Sequence, residues 1–276
     1  MLRAALSANH LLITIAVLLS IHSGSRNIIT GRNQLTILPE SDLQYMASQE
    51  YREFLKSNEV LSPYYNEEAL VVKKVGEKLS KAVAAYYVLQ GLDSKSERLK
   101  WEFNLVESPD ANAWCLPGGK VIVYTGLLKF TASESELAVV MGHEIAHAIA
   151  KHGNERMSHA LITNGIGIVG SIITSGNRQL NIVFENAYKP CSEIGLLLPN
   201  SRRQELEADK FGLIFIALAG YDPREAIKLW EKMKEVTNGR PPECLSTHPT
   251  EESRIRELQR FMPQALSYFK PVNRRK

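Results

Sequence analysis

Apolar positions along the chain follow two periods, and each period marks a different kind of element. From Asn66 to Leu89 they fall at Val71, Val72, Val75, Leu79, Val83 and Tyr87, near the one-sided spacing of a helix. Ser41 to Ser57 also reads as a helix. Trp101 to Val106 alternates, as a half-buried strand does. Ala113 to Leu116 and Val121 to Tyr124 flank Pro117-Gly118-Gly119, which predicts strand, tight turn and strand. Ser133 then opens a long helix with Glu136 three residues on, a capping-box arrangement. That helix is expected to run to about Lys151 and to end near Gly153. Leu161 to Ser175 is apolar and dotted with glycine, which predicts a core helix or a covering loop. Arg202 to Ala219 predicts a helix stopped by Gly220. Asp222-Pro223 restarts one, with a cap and a first-turn proline, that runs to about Val236. Thr250 to Phe261 is the last. The sum is an α+β layout, mainly helical, with one small sheet.

The ends of the chain differ from this body. Met1 to His10 carries Arg3 and no acid, Leu11 to Ile21 is apolar, and Ser23-Gly24-Ser25 is small and polar. That order predicts a signal peptide or signal anchor over residues 1–25. The apolar run falls short of the about 20 residues of a spanning helix. It implies export to the periplasm or a membrane-associated place in the cell envelope, with membrane association through the N-terminal segment. A mitochondrial presequence, leading to the inner membrane, is the alternative. Residues 26–270 are expected to form the functional domain, and 271–276 a basic tail.

Composition removes several classes of function. With 44% hydrophobic and 23% charged residues in 276, the chain can bury a core and is not a disordered segment. A net charge of +3 without a basic run gives no case for nucleic acid. Cys115, Cys191 and Cys244 form no C-x-x-C pair, so a cysteine-based metal knuckle is not supported. A Cys191–Cys244 disulfide and three buried thiols both remain open.

The chemistry is concentrated in His143-Glu144-Ile145-Ala146-His147. On a helix, positions four apart lie on one face about 5–6 Å from each other. Two imidazoles placed so can each aim a nitrogen at one ion about 2.0–2.1 Å away. Glu144 is offset around the helix and stays free to take a proton from a water beside the ion. With 7 His and 30 acidic residues in 276, chance supplies this pattern roughly 0.02 times. The flanks, Leu137 to Met141 and Ile145 to Ile149, are strongly apolar. Burying two His and a Glu among them without a partner would cost several kcal/mol, which a metal would remove. Two satisfied core histidines are the bland alternative.

A catalytic zinc takes three protein ligands and keeps one position open. Ser201 to Asp209 offers Glu205 and Glu207. Glu205 and Asp209 are four apart and share a face, which suits a ligand followed by a carboxylate that orients a ligand histidine. Glu207 points the other way and reads as a solvated acid. Spacing alone does not choose between Glu205 and Glu207. His152 and His159 do not keep the four-residue offset from His147 and read as surface or packing residues.

Gly142-His-Glu-Ile-Ala-His147 followed by Glu205-x-x-Ala-Asp209 resembles the gluzincin family of HtpX-like peptidases, CAAX prenyl proteases and Oma-type peptidases. Asn112 to Gly126, Gly220-Tyr-Asp-Pro223, Ser246-Thr-His-Pro249 and Arg254-Ile255 extend the likeness. Thr30 to Leu35 is similar to the start of exported bacterial members of the Oma-like branch. The chain lacks the lipobox cysteine of many of these. The resemblance implies a zincin-like fold, one Zn2+ per chain, Glu205 as the third ligand, Asp209 behind the ligands, and His248 beside the metal as an oxyanion donor. It also implies an edge strand, here Asn112, Ala113, Trp114 and Cys115, that pairs with an extended peptide. Trp114 either lines a subsite or sits in the core. The expected activity is that of a zinc metalloendopeptidase acting on protein or peptide substrates, such as misfolded envelope proteins, with residues 161–200 as a cover over the cleft. The alternative is a non-catalytic zinc-stabilised binding or chaperone-like module, which has no need of a base at Glu144.

Overall fold

Asn66 and Ser133 begin the two helices that frame the interior, and each does so by capping. The Asn66 side chain accepts from the Ala69 amide, and the Ser133 hydroxyl accepts from the Glu136 amide. The Glu136 carboxylate reaches one residue further back than a capping box requires and accepts from Ala132 N. Both helices therefore start with part of their unpaired amides satisfied. The structure is a computed structural model and describes residues 24–92, 99–163, 201–236 and 252–270.

In chain order these residues form β1 (Gly24–Arg26), β2 (Asn33–Leu35), α1 (Glu40–Ser57), β3 (Val60–Leu61), α2 (Glu67–Leu89), β4 (Glu102–Val106), β5 (Ala113–Leu116) and β6 (Lys120–Tyr124). Then follow α3 (Thr125–Leu128), α4 (Glu134–Ile149), α5 (His152–Thr163), α6 (Arg202–Leu218), α7 (Glu225–Val236) and α8 (Glu252–Leu266). The main sheet runs β3-β4-β6-β5. β4 and β6 are parallel; β3–β4 and β5–β6 are antiparallel. The β5–β6 turn places Gly118 and Gly119 at φ of 84° and 87°, a left-handed region that only glycine enters cheaply. β5 lies at an edge of the sheet.

Strand alternation splits the interior in two. Ala113, Cys115, Val121 and Val123 face a core shared with α2, α4, α6, α7 and α8. Trp114, Leu116 and Ile122 face a second core with α1 and α5. The sheet is thus a middle layer between two helical layers, which is the mainly helical α+β, zincin-like arrangement expected. Each fully buried aliphatic side chain contributes about 1.5–3 kcal/mol, and α4 buries Leu137, Met141 and Ile145 almost completely.

The crossing of α4 over α6 brings two glycines together. A Cβ on Gly212 would lie 3.2 Å from His143 N and 3.3 Å from its Cα, and one on Gly142 would lie 2.9 Å from Ile216 Cγ2. Side chains at either place would hold the helices apart at the level of His143.

α4 is shorter than its pattern predicts. It ends at Ile149, and Lys151 takes φ of 58° before α5 begins at His152. A residue in the left-handed region cannot continue a helix, so the chain turns back on itself there. The β1–β2 hairpin, which no periodicity announces, packs over this break. Asn27 Nδ2 and Gln34 Nε2 both donate to Ala150 O, at 2.9 and 3.0 Å. Cys191, Cys244, residues 1–23 of the leader and most of the predicted cover at 161–200 lie outside the described residues.

Candidate functional site

His143 and His147 project from one face of α4, with their Nε2 atoms 3.0 Å apart. α6 delivers Glu205 to the same point. Its Oε2 lies 3.4 Å from His143 Nε2 and its Oε1 3.4 Å from His147 Nε2. The potential ligand atoms of these three residues lie within 4.8 Å of one another. The residues are 6%, 8% and 4% exposed. Two imidazole nitrogens that face each other beside a buried carboxylate form the donor set of a divalent ion with three protein ligands. The residues therefore fit the metal that the sequence implies. Glu205 meets the histidines, and Glu207 does not; the crossing of α4 and α6 makes the choice that spacing leaves open.

Behind His143 stands a carboxylate. Asp209 Oδ1 lies 3.0 Å from His143 Nδ1. An ionised carboxylate only accepts, so Nδ1 carries a proton, and Nε2 is the nitrogen turned to His147 and Glu205. Arg254 of α8 grips Asp209 with two donors, Nε to Oδ2 and Nη2 to Oδ1, each at 2.6 Å. Its guanidinium stacks 4.0 Å from the Trp230 ring centre, and Nη1 lies 3.6 Å from Glu205 Oε2. Burial raises the Asp209 carboxyl, but the Arg254 charge and hydrogen bonds hold it below its ordinary range. Burial and Arg254 push the His143 imidazole down, yet hydrogen bonds to Asp209 and Glu205 raise it overall to about 9. Burial leaves His147 well below its ordinary value.

Behind His147 stands an imidazole. His152 is 0% exposed, with Nδ1 2.9 Å from His147 Nδ1 and Nε2 2.9 Å from Glu207 Oε2. This corrects two expectations. His152 is neither at the surface nor mere packing, and Glu207 is not a solvated acid. On a straight helix His152 would stand about 140° around from His147; the turn at Lys151 returns it to that histidine. Glu207 in turn accepts from Arg32, Nε at 2.7 Å and Nη2 at 3.1 Å. Arg32 also holds Glu155, with Nη2 2.8 Å from Oε2, and Gln204 Nε2 donates to Glu155 at 2.8 Å. Arg32 and Arg254 had no role in the sequence reading. Both stand in segments that mattered there only for family likeness, and charge alone does not mark a buried arginine.

The remaining expected residues divide by place. Glu144 is half-buried on α4 among buried neighbours. Burial, with the Glu144 charge nearby, pushes the Cys115 thiol well up, so Cys115 is no thiolate nucleophile. Asn112, Ala113, Trp114 and Cys115 are buried in and before β5. The Trp114 ring meets Phe54 edge to face at 5.1 Å in the second core, on the sheet face away from α4. His159 is exposed. His248 lies outside the described residues.

The family model described as Peptidase family M48 matches residues 75–262. The chain is 34% identical over 223 residues to the mitochondrial metalloendopeptidase OMA1 of Schizosaccharomyces pombe, covering 80% of this chain and 61% of the relative. It is 32% identical over 254 residues to metalloendopeptidase OMA1 of Homo sapiens, covering 89% and 47%. It is 28% identical over 172 residues to the beta-barrel assembly-enhancing protease of Escherichia coli, covering 60% and 35%. The chain thus spans less than two thirds of the length of each of these relatives.

Proposed function

This chain belongs to peptidase family M48, and from that premise we propose that it is a zinc-dependent metalloendopeptidase. The observation that carries the reading is the meeting of His143, His147 and Glu205 at one buried point, with Glu144 on the same helical turn. Held by His143, His147 and Glu205, a zinc ion would supply a Lewis acid for the scissile carbonyl and would lower the pKa of a water from 15.7 to about 7. Asp209 and His152 keep the ligand nitrogens aimed. Glu144 takes the proton from the attacking water and passes it to the amine nitrogen as the C–N bond breaks. His248 is the proposed donor to the carbonyl oxygen.

β5 supports the choice of substrate. Tyr124 N donates to Asn112 O at 2.9 Å, so antiparallel alternation turns the backbone groups of Ala113 and Cys115 toward the edge away from β6. An extended peptide could add there as a further strand. Backbone pairing reads little sequence, which suits an enzyme for exposed or misfolded chains. Residues 1–25 act in this reading as a leader or anchor, 26–270 as the peptidase domain and 271–276 as a basic tail. The place of action is the cell envelope, with the mitochondrial inner membrane as the alternative. No helix among the described residues is long and apolar enough to cross a membrane.

Glu144→Gln tests the reading. Cleavage of a casein-type substrate should fall at least about 100-fold, while metal analysis still finds one zinc per chain. Full activity in the variant would overturn the proposal. Loss of zinc together with activity would point to an ion that only holds the fold.

A further inference from the structure

The β1–β2 hairpin reaches the metal centre through a chain of polar contacts. Arg32, just before β2, spans two acidic side chains from two different helices, Glu207 of α6 and Glu155 of α5. The side chains are 18%, 16% and 9% exposed, so solvent screens them weakly. Glu207 then faces His152 Nε2, and His152 Nδ1 faces His147 Nδ1.

Proton bookkeeping gives this chain a direction. Glu207 is ionised against Arg32 and only accepts, so His152 donates from Nε2. A neutral His152 then has Nδ1 as its acceptor. That acceptor must be met by N–H at His147 Nδ1, which leaves the His147 Nε2 lone pair facing His143 and Glu205. The opposite tautomer would place two bare nitrogens 2.9 Å apart behind the site and a proton where an ion belongs.

We propose that Arg32 is a positioning residue of the metal centre, which sets the tautomer and orientation of His147 through Glu207 and His152. The inference rests on reading His147 as a ligand. The planar fork matters as well as the charge, because one guanidinium serves two carboxylates at fixed angles, and an ammonium does not. The hairpin is tied to the same place a second time, by Asn27 and Gln34 at Ala150 O. These two bonds fasten it to the end of α4.

The test reads the metal directly. Zn2+ dissociation constants come from chelator competition, and the visible spectrum of the Co2+-substituted protein reports ligand geometry. Arg32→Gln should weaken Zn2+ binding about 10–100-fold and change the Co2+ spectrum. His152→Ala should do the same, and the double variant should bind no more weakly than His152→Ala alone, since the two act in series. Arg26→Gln, which removes only the hairpin's own bond from Arg26 Nε to Gly31 O at 3.0 Å, should leave both readouts unchanged. If Arg32→Gln does not fold by circular dichroism, Arg32→Lys takes its place, with an expected loss of about 10-fold.

Wild-type affinity and spectrum in the folded Arg32 variant would overturn the inference, and so would additive losses in the double variant. Those results leave the proposed function standing. Failure of the wild-type protein to bind Zn2+ would overturn that function and this inference together.

Discussion

The two histidines proposed as ligands are one helical turn apart, yet the structures behind them differ. His143 is backed by Asp209, which comes from the same helix as Glu205 and is gripped by Arg254 over the Trp230 ring. His147 is backed by a second imidazole, then by Glu207, then by Arg32 from the N-terminal hairpin. Both arms end in a carboxylate held by an arginine, and both turn Nε2 toward Glu205. The first is short and fully buried: Asp209 and Arg254 are each 4% exposed. The second is one residue longer and reaches toward solvent at Glu207 and Arg32. The same chemical task, fixing a tautomer, is met once by direct contact inside the core and once by a relay to the rim. Burial then decides what it costs to break each arm.

The largest expected effect lies in the buried arm. Arg254→Ala leaves the buried Asp209 charge with His143 but without its bidentate arginine partner, which should cost about 3–5 kcal/mol of stability. Urea unfolding of the zinc-loaded protein measures it. A loss under about 1 kcal/mol would show that Asp209 is held by other groups.

Next is the crossing on which both arms depend. Gly212→Ala places a methyl 3.2 Å from the His143 backbone, where a helix, not a flexible side chain, must yield. The expected cost is about 1–3 kcal/mol, with a weaker Zn2+ affinity, because His143 and Glu205 move apart. Calorimetry and chelator competition on one preparation would separate the two effects. Unchanged stability would mean that the helices repack freely.

The smallest effect belongs to the outer arm and depends on pH. Burial raises the Glu155 carboxyl, but hydrogen bonds from Arg32 and Gln204 outweigh it and hold the group below its ordinary value of 4.5. A lowered native value means that the unfolded chain binds more protons in that range. The stabilisation is therefore complete above pH 4.5 and is lost as pH falls through the native value. Arg32→Gln should flatten this acid limb by about 1 kcal/mol or less. Unfolding midpoints taken from pH 7 downward measure it, and identical slopes in both proteins would remove Arg32 from the account.

Much of the inner arm was legible beforehand. His143, Glu144 and His147 stand on one predicted helix, and Asp209 lies one turn beyond Glu205 on another. Their relations are i, i+4, which helical geometry converts into a shared face. The β5–β6 hairpin was legible too, since Pro117-Gly118-Gly119 asks for a turn. The outer arm was hidden by a local event. The pattern carries the helix to about Lys151 and its end to near Gly153, so His152 looked rotated away from its partner. Glu207 looked solvated because the hairpin that covers it is short, polar and without periodicity.

By itself, then, the sequence determined which turn of helix bears the paired histidines and which pairs of side chains share a face, because those relations span four residues and follow from backbone geometry. The tertiary structure decided that Glu205 and not Glu207 meets the histidines, that the chain turns back at Lys151, and that Arg32 stands behind His147. Glu207 lies 55 positions from His152 and 175 from Arg32. Contacts at that separation leave no period in the chain; the crossing of the helices at Gly142 and Gly212, the turn at Lys151 and the docking of the hairpin on Ala150 bring them together.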